Sequence, residues 1–258
     1  MQAYMKQPCG AAAAARAFAL CAAREDLPRP GTRSNGSSPE HAATMPFTII
    51  SAEHQVAGFA IATIGWILSS ISMGLVEWRL WCMDDPSFFP TGYACVGMWR
   101  VCMYRHHTNI STAKLCHRYT YYDDFLPLDI RISQHLMLLA SILGLAGKAY
   151  SIKALWNMHL GILHKRKAYC SFVVSGTLNM IAGLCILSAV LLNYYSITTL
   201  QGIAFPPSFQ LPFKPDTQET GSAAVVSSLG AVLKLLSGFF LFYRFSPGIR
   251  VHPEIIET

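Results

Sequence analysis

Four long runs of apolar residues divide the chain. Each is about as long as the stretch of roughly 20 residues that an α-helix needs to cross a bilayer. The first and third runs contain no Asp, Glu, Lys or Arg, a pattern that a soluble core of this size does not require. The pattern therefore predicts four transmembrane helices, at about residues 55–76, 133–152, 168–192 and 222–243.

The third run carries a small or polar residue at every fourth position. Side chains four apart share one face of a helix, and small residues on that face let a neighbouring helix approach closely in a membrane. The stripe consists of Ser171, Ser175, Asn179 and Gly183. We expect this face of the helix to pack inside a bundle.

The fourth run has a charged residue near its middle, Lys234. A lysine at the centre of a bilayer costs about 2.5–3.5 kcal/mol on insertion scales, so it would face the bundle interior, water or a partner. Alternatively, the span is shifted toward the cytoplasm and the lysine extends along it to the membrane surface. The other predicted spans contain no acid that could pair with Lys234, and the sequence leaves both interpretations open.

The pattern also divides the chain into three parts. Residues 1–44 are partly rich in Pro, Gly and Ser, a composition that cannot bury enough apolar area to order itself. We expect a flexible amino-terminal extension there, a four-span domain over residues 45–245 and a short cytoplasmic tail over residues 246–258. The sequence does not decide whether Met1 or Met45 is the start.

Charge is scarce and unevenly placed. Only 13% of the residues are Asp, Glu, Lys or Arg, against about 25% in an average soluble domain. The net charge of +6 does not indicate a nucleic-acid-binding protein, because the basic residues form no stripe with interleaved aromatics. The segment between the second and third runs is basic and acid-free, so the positive-inside rule places it and both termini in the cytoplasm. The loops at about 77–132 and 193–221 are then extracellular.

The first of these loops has the features of a small exported fold. Asn109 begins an Asn-Ile-Ser sequon, which is glycosylated only in the secretory lumen. Aromatic and β-branched residues in the loop favour short strands. The loop also has four cysteines in a compartment where disulfides form, and spacing alone allows three pairings. They are Cys82, Cys95, Cys102 and Cys116.

The sequence contains no catalytic or metal-binding pattern. Cys102, Cys116 and the nearby histidines fit no regular zinc spacing, and an oxidised cysteine pair cannot bind zinc as thiolates. There is no nucleophile elbow, no phosphate loop and no pair of acids within a predicted span. We therefore expect neither an enzyme nor a site for a metal or cofactor.

The first loop resembles that of the claudin superfamily, which includes claudins, the peripheral-myelin and epithelial membrane proteins, and calcium-channel gamma subunits. The family signature is a Trp, then Gly-Leu-Trp, two further residues, a Cys and a second Cys. It appears here as Trp78, Gly97-Met98-Trp99, Cys102 and Cys116. Met98 replaces the usual Leu, and Arg131 stands at the entrance to the second span, where the family usually has an arginine.

The second loop extends the resemblance. Phe205-Pro206-Pro207 is similar to the aromatic-then-proline turn of claudins. Glu219-Thr220-Gly221 is similar to their Glu-x-Gly before the fourth span. On this resemblance we interpret Phe205, Pro206, Pro207, Glu219 and Gly221 as interaction residues of the second loop.

The resemblance implies a fold and a function. The fold would be a left-handed four-helix transmembrane bundle topped by a small five-stranded antiparallel extracellular sheet, with Cys102 bonded to Cys116. The function would be that of a tight-junction protein of the plasma membrane. In such a protein, claudins of the same cell and of opposing cells associate to adhere and to seal or select paracellular ions. Membrane lipid and other claudins are the implied partners.

Several residues depart from the claudin pattern. The interval from Cys102 to Cys116 is longer than usual and contains Asn109, where a glycan would obstruct packing between cells. His117 stands where claudins commonly carry a charged residue that tunes ion selectivity. Thr258 replaces the final hydrophobic residue by which many claudins bind PDZ scaffolds, so no such scaffold is expected. The alternative function is an auxiliary or trafficking subunit of a membrane channel, as in other branches of the superfamily.

Overall fold

The computed structural model describes residues 41–83, 92–107, 110–120, 122–159, 165–209 and 211–243. Three of the sequence-based expectations lie outside these residues: the extension as far as residue 40, the Asn109 sequon and the carboxyl-terminal tail. They stay predictions.

Four helices form the larger part of the fold. They are α1 (His41–Gly74), α2 (Leu128–His159), α3 (Lys165–Thr198) and α4 (Ser222–Tyr243). Each contains a segment that is long and apolar enough to cross a membrane. These segments are His54–Gly74, Leu128–His159, Ala168–Thr198 and Ser222–Leu241. The prediction of four spans is therefore confirmed.

Helices α2 and α3 are longer than the spans predicted within them. They have 32 and 34 residues, or about 48 and 51 Å at 1.5 Å per residue, whereas the hydrocarbon core is about 30 Å thick. The predicted spans at 133–152 and 168–192 lie within these helices, which continue beyond the apolar pattern through more polar turns. The first turn of α2 contains Asp129, and a carboxylate is favourable at the positive end of a helix dipole.

Five antiparallel strands form one sheet where α1 ends and α2 begins. They are β1 (Arg79–Met83), β2 (Gly92–Val96), β3 (Arg100–His107), β4 (Ile110–Arg118) and β5 (Thr217–Thr220). Their order across the sheet is β4-β3-β2-β1-β5. Strand β5 comes from the second loop and pairs with β1, from Arg79 opposite Thr220 to Cys82 opposite Thr217. Both loops are therefore parts of a single hydrogen-bonded sheet.

One face of the sheet covers a hydrophobic cluster. Trp81 of β1 and alternate residues along β2 and β3 point into it, which is the period-two pattern of a strand with one buried face. Second-loop residues Ile203 and Phe209 complete the cluster, and Phe125 packs against it. Burial raises the pKa of the Tyr119 hydroxyl above its ordinary value. The buried residues of the first loop in this cluster are Trp81, Ala94, Val96, Val101, Met103, Tyr119 and Leu126.

The small-residue stripe of α3 is buried in the bundle, as the pattern predicted. Its members Ser171, Ser175, Asn179 and Gly183 are all buried. The Ser175 hydroxyl donates to the Gly147 carbonyl of α2 at 2.7 Å, so the two helices approach closely. A Cβ at Gly147 would lie 3.2 Å from Asn179 Nδ2, which explains why a glycine fits at this crossing.

Lys234 faces the interior of the bundle. Its side chain is fully buried, and Nζ donates to Asn179 Oδ1 at 3.2 Å. Asn179 Nδ2 donates in turn to the Ser175 carbonyl at 3.0 Å. Of the two interpretations drawn from the sequence, the structure has the one in which the lysine packs between helices.

The Lys234–Asn179 contact leads to a stability prediction. Asn179→Leu removes the acceptor while the amine stays buried, and such a loss typically costs about 1–3 kcal/mol. We expect a lower melting temperature for the purified protein in detergent. The double variant Asn179→Leu/Lys234→Met removes both polar groups and should recover most of the loss. A double variant no more stable than Asn179→Leu would contradict this assignment.

Candidate functional site

Trp78 lies at the junction of the sheet with three helices. It is buried, and its indole Nε1 donates to the Ser72 carbonyl at the end of α1 at 2.9 Å. Its own carbonyl accepts from Asn193 Nδ2 of α3 at 3.3 Å and from the Gly221 amide before α4 at 3.2 Å. The first signature residue therefore fixes the position at which β1 begins.

The turn Gly97-Met98-Trp99 connects β2 to β3 and rests on the bundle. The Gly97 amide donates to the Arg100 carbonyl at 2.9 Å, and a Cβ at this glycine would lie 2.9 Å from the backbone of Val76. Met98 is buried in the same cluster as Trp78, and Trp99 packs against that cluster. This stretch is a structural support between sheet and helices.

A polar network that the sequence did not reveal attaches β1 to the bundle. Arg79 is buried, its Nη2 pairs with Asp129 of α2, and its Nε donates to Asn193 Oδ1 of α3 at 2.7 Å. Asp129 also accepts from the Ser196 hydroxyl at 2.9 Å. Polar residues are common where loops meet spans, so nothing in the sequence singled out these four.

The entrance to α2 contacts the first loop through two residues. Arg131 Nη2 donates to the Asp123 carbonyl at 2.7 Å, in the segment between β4 and α2. Gln134, about one helical turn further along, is the residue that reaches the signature, because its Nε2 donates to the Met98 carbonyl. Sequence reasoning singled out Arg131 and missed Gln134.

The sheet register explains which loop cysteines are bonded. Cys102 of β3 faces Cys116 of β4, and the two form a disulfide with a Cα–Cα distance of 4.2 Å. This is the pairing that the family resemblance implied. Cys82 and Cys95 are free thiols. The bond joins the edge strand β4 to the rest of the sheet.

The proposed second-loop residues divide into structural and exposed ones. The Phe205 ring packs edge-on against Trp81 with centroids 5.5 Å apart, so it belongs to the cluster under the sheet. The Pro206 carbonyl accepts from the Phe209 amide at 3.0 Å in a short 3-10 turn. Pro207 and Glu219 are exposed to solvent. Of the five proposed residues, only these last two are exposed.

Gly221 is required by a close approach of two backbones. It is buried between β5 and α4, and a Cβ there would lie closer than 3.0 Å to the Glu77 carbonyl oxygen. The next residue, Ser222, donates its hydroxyl to the Glu77 carboxylate. Gly221 therefore lets the fourth helix begin directly beside the first strand.

His117 is engaged within the protein. Its Nε2 lies 3.4 Å from Asp123 Oδ2, and its ring meets the Phe209 ring edge-on at 5.2 Å. Asp123 Oδ2 also accepts from the Thr120 amide at 2.6 Å. His117 therefore contacts both the segment that follows β4 and the second loop.

Large apolar side chains are exposed at the sheet end of the bundle. Three of them lie at the ends of candidate membrane spans, where aromatic side chains are typical of the membrane–water interface and exposed apolar groups can contact another protein. We call these residues the apolar rim: Leu128, Tyr194, Tyr195 and Phe213, which are 71%, 58%, 66% and 61% exposed.

Comparison with known proteins finds distant claudins. The chain is 27% identical to claudin-19 of Mus musculus over 189 residues, which cover 72% of this chain and 79% of that protein. Claudin-19 of Homo sapiens gives the same identity and coverage. Claudin-13 of Mus musculus is 23% identical over 214 residues, 81% of this chain and 93% of that protein. No protein-family model matches the chain. The chain is thus a multi-pass membrane protein with a distant similarity to claudins.

Breaking the Arg79–Asp129 pair should destabilise the protein strongly. Asp129→Asn removes the carboxylate charge and leaves a buried guanidinium uncompensated, a change that typically costs about 3–5 kcal/mol. Thermal unfolding of the purified chain measures the loss. Asp124→Asn is the matched control, since Asp124 is an exposed acid of the same loop and should contribute little. Equal losses in both variants would show that the Arg79 pair does not hold the sheet.

The crowding at Gly221 leads to a second prediction. Gly221→Ala should lower both the melting temperature and the yield of folded protein, because the added methyl forces the start of α4 away from Glu77. Gly74→Ala is the control, because a Cβ at Gly74 meets nothing within 4 Å. If the two alanine variants have the same melting temperature, the close backbone contact between Gly221 and Glu77 does not require a glycine.

Proposed function

We propose that the chain is a claudin-like junction protein of the plasma membrane that mediates cell–cell adhesion and paracellular barrier or ion permeability. Both termini would be cytoplasmic and the sheet extracellular. One observation carries the proposal: a single sheet built from both loops rests on the signature residues Trp78 and Met98 and is closed by the Cys102–Cys116 disulfide. The distant similarity to claudins supports it.

The charge distribution supports the proposed orientation. From Ile130 to Pro215 the sequence contains no Asp or Glu. The basic residues Lys153, Lys165, Arg166 and Lys167 fall in the part of α2 and α3 far from the sheet. Positive residues next to spans favour the cytoplasmic side. The opposite end, with the sheet and its disulfide, is then in an oxidising compartment.

The two kinds of exposed surface suggest how such a protein would assemble. The apolar rim lies close to the membrane at the sheet end, where a second copy in the same membrane would cover it. Pro207 and Glu219 are exposed at the second loop, where a protein of an opposing cell would meet them.

Expression in fibroblasts that lack tight junctions tests this function. We expect enrichment where two expressing cells touch and intramembrane strands by freeze-fracture microscopy. Uniform surface label without strands would contradict the junction function and favour the alternative of an auxiliary or trafficking subunit.

A substitution in the apolar rim tests the assembly surface in the same cells. Leu128→Ser/Tyr195→Ser should reduce strand formation while surface delivery is unchanged. Burying one such side chain is worth about 1.5–3 kcal/mol, or roughly ten- to hundredfold in an association constant. Thr198→Ser, an exposed change at the same end of α3, is the control. Normal strands in the double variant would exclude the rim as the association surface.

A further inference from the structure

Three cysteines lie in one row across the sheet. Cys95 of β2 faces Cys102 of β3, and Cys102 faces Cys116 of β4. Residues that face each other on antiparallel neighbours place their side chains on the same face of the sheet. Cys102 is therefore the middle member, with a bonded partner on one side and the free thiol of Cys95 on the other.

The first loop has two free thiols, Cys82 and Cys95, and only Cys95 is close enough to Cys102 to form a disulfide with it. Facing residues of antiparallel strands have Cα atoms about 4.5–5.5 Å apart, inside the range of about 4.4–6.8 Å that is usual for disulfides. Cys82 faces Tyr93 and is diagonal to Cys95. Diagonal neighbours are about 7–8 Å apart, so a Cys82–Cys95 bond would require the backbone to move.

We propose that Cys95 is a second disulfide partner of Cys102, reached by thiol–disulfide exchange within the sheet. The thiolate of Cys95 attacks Cys102 Sγ. The Cys95–Cys102 bond forms as the Cys102–Cys116 bond breaks, and the electron pair leaves on Cys116 Sγ, which takes up the proton. No net oxidation or reduction occurs. The row sets the attacking, central and leaving sulfurs side by side across three strands, as the exchange requires.

Burial of Cys95 makes the exchange slow at neutral pH. Burial and, to a smaller extent, the nearby Glu77 and Cys82 together raise the pKa of the Cys95 thiol to about 12. Because the thiolate is the nucleophile, few molecules at neutral pH are able to react. The exchange therefore becomes faster as the pH rises, or when the strands open enough to admit water.

The exchange would change what the edge of the sheet presents. Cys95 is only 1% exposed, whereas Cys116 is exposed on the edge strand β4. The free thiol would thus move from the middle of the sheet to its edge, and β4 would lose its covalent link to β3. The inference rests on the proposed function only in placing the sheet in an oxidising compartment. Its test uses purified protein, so it can fail while the junction function holds.

The decisive experiment removes Cys116, the residue to which Cys102 is bonded in the structure. The full-length Cys116→Ser variant is incubated with oxidised glutathione, which takes up the two electrons and two protons of the thiols that become bonded. Acid-quenched, non-reducing digestion and mass spectrometry then locate the bond. We expect a Cys95–Cys102 peptide that persists in Cys82→Ser/Cys116→Ser and disappears in Cys95→Ser/Cys116→Ser. A thiol or a glutathione adduct at Cys102, or a Cys82–Cys102 bond, would overturn the proposal.

The unaltered chain provides a second measurement that does not depend on the folding of a variant. Purified protein without added thiol is held at pH 7, 8 and 9, quenched and labelled with a maleimide. We expect label at Cys116 to appear with an initial rate that rises roughly tenfold per pH unit, as the thiolate fraction does. The proposal would be overturned if Cys102 were bonded only to Cys116 at every pH and the label were found only on Cys82, Cys95 and other free thiols.

Discussion

Arg79 is a charged side chain held away from water, and its partners come from two helices that are distant in the sequence. It pairs with Asp129 at the start of α2 and donates to Asn193 near the end of α3. Separating such a pair leaves an uncompensated buried charge, so the partners have to stay together for the fold to persist. The first strand of the sheet is thereby attached to both helices at one point.

The rest of the sheet depends on that attachment because β1 lies between β2 and β5. Three further strands of the first loop extend from one side of β1, and the only described strand of the second loop pairs with the other side. The hydrophobic cluster under the sheet also contains residues from both loops. A surface held in one shape loses less conformational entropy when it binds. This is the physical sense in which both loops would act as a single adhesive unit.

Sequence patterns predicted the parts of the fold that the bilayer imposes, and the loop disulfide followed only from the family resemblance. The four long apolar runs located four helices because a lipid core requires apolar residues over a known length. The Arg79 network was not predictable, since its contacts join residues 50 and 114 positions apart and depend on how each helix is rotated. The same holds for Gln134, whose hydrogen bond to the Met98 carbonyl joins residues 36 positions apart, whereas Arg131 was singled out from the sequence.

Hydrogen–deuterium exchange of the purified chain in lipid nanodiscs tests most directly whether the sheet and the bundle form one unit. The amides of β1, β2 and β5 should exchange slowly, with opening free energies close to those of the first turns of α2, because these segments open together. Complete exchange of the strand amides while those helical turns stay protected would contradict the account.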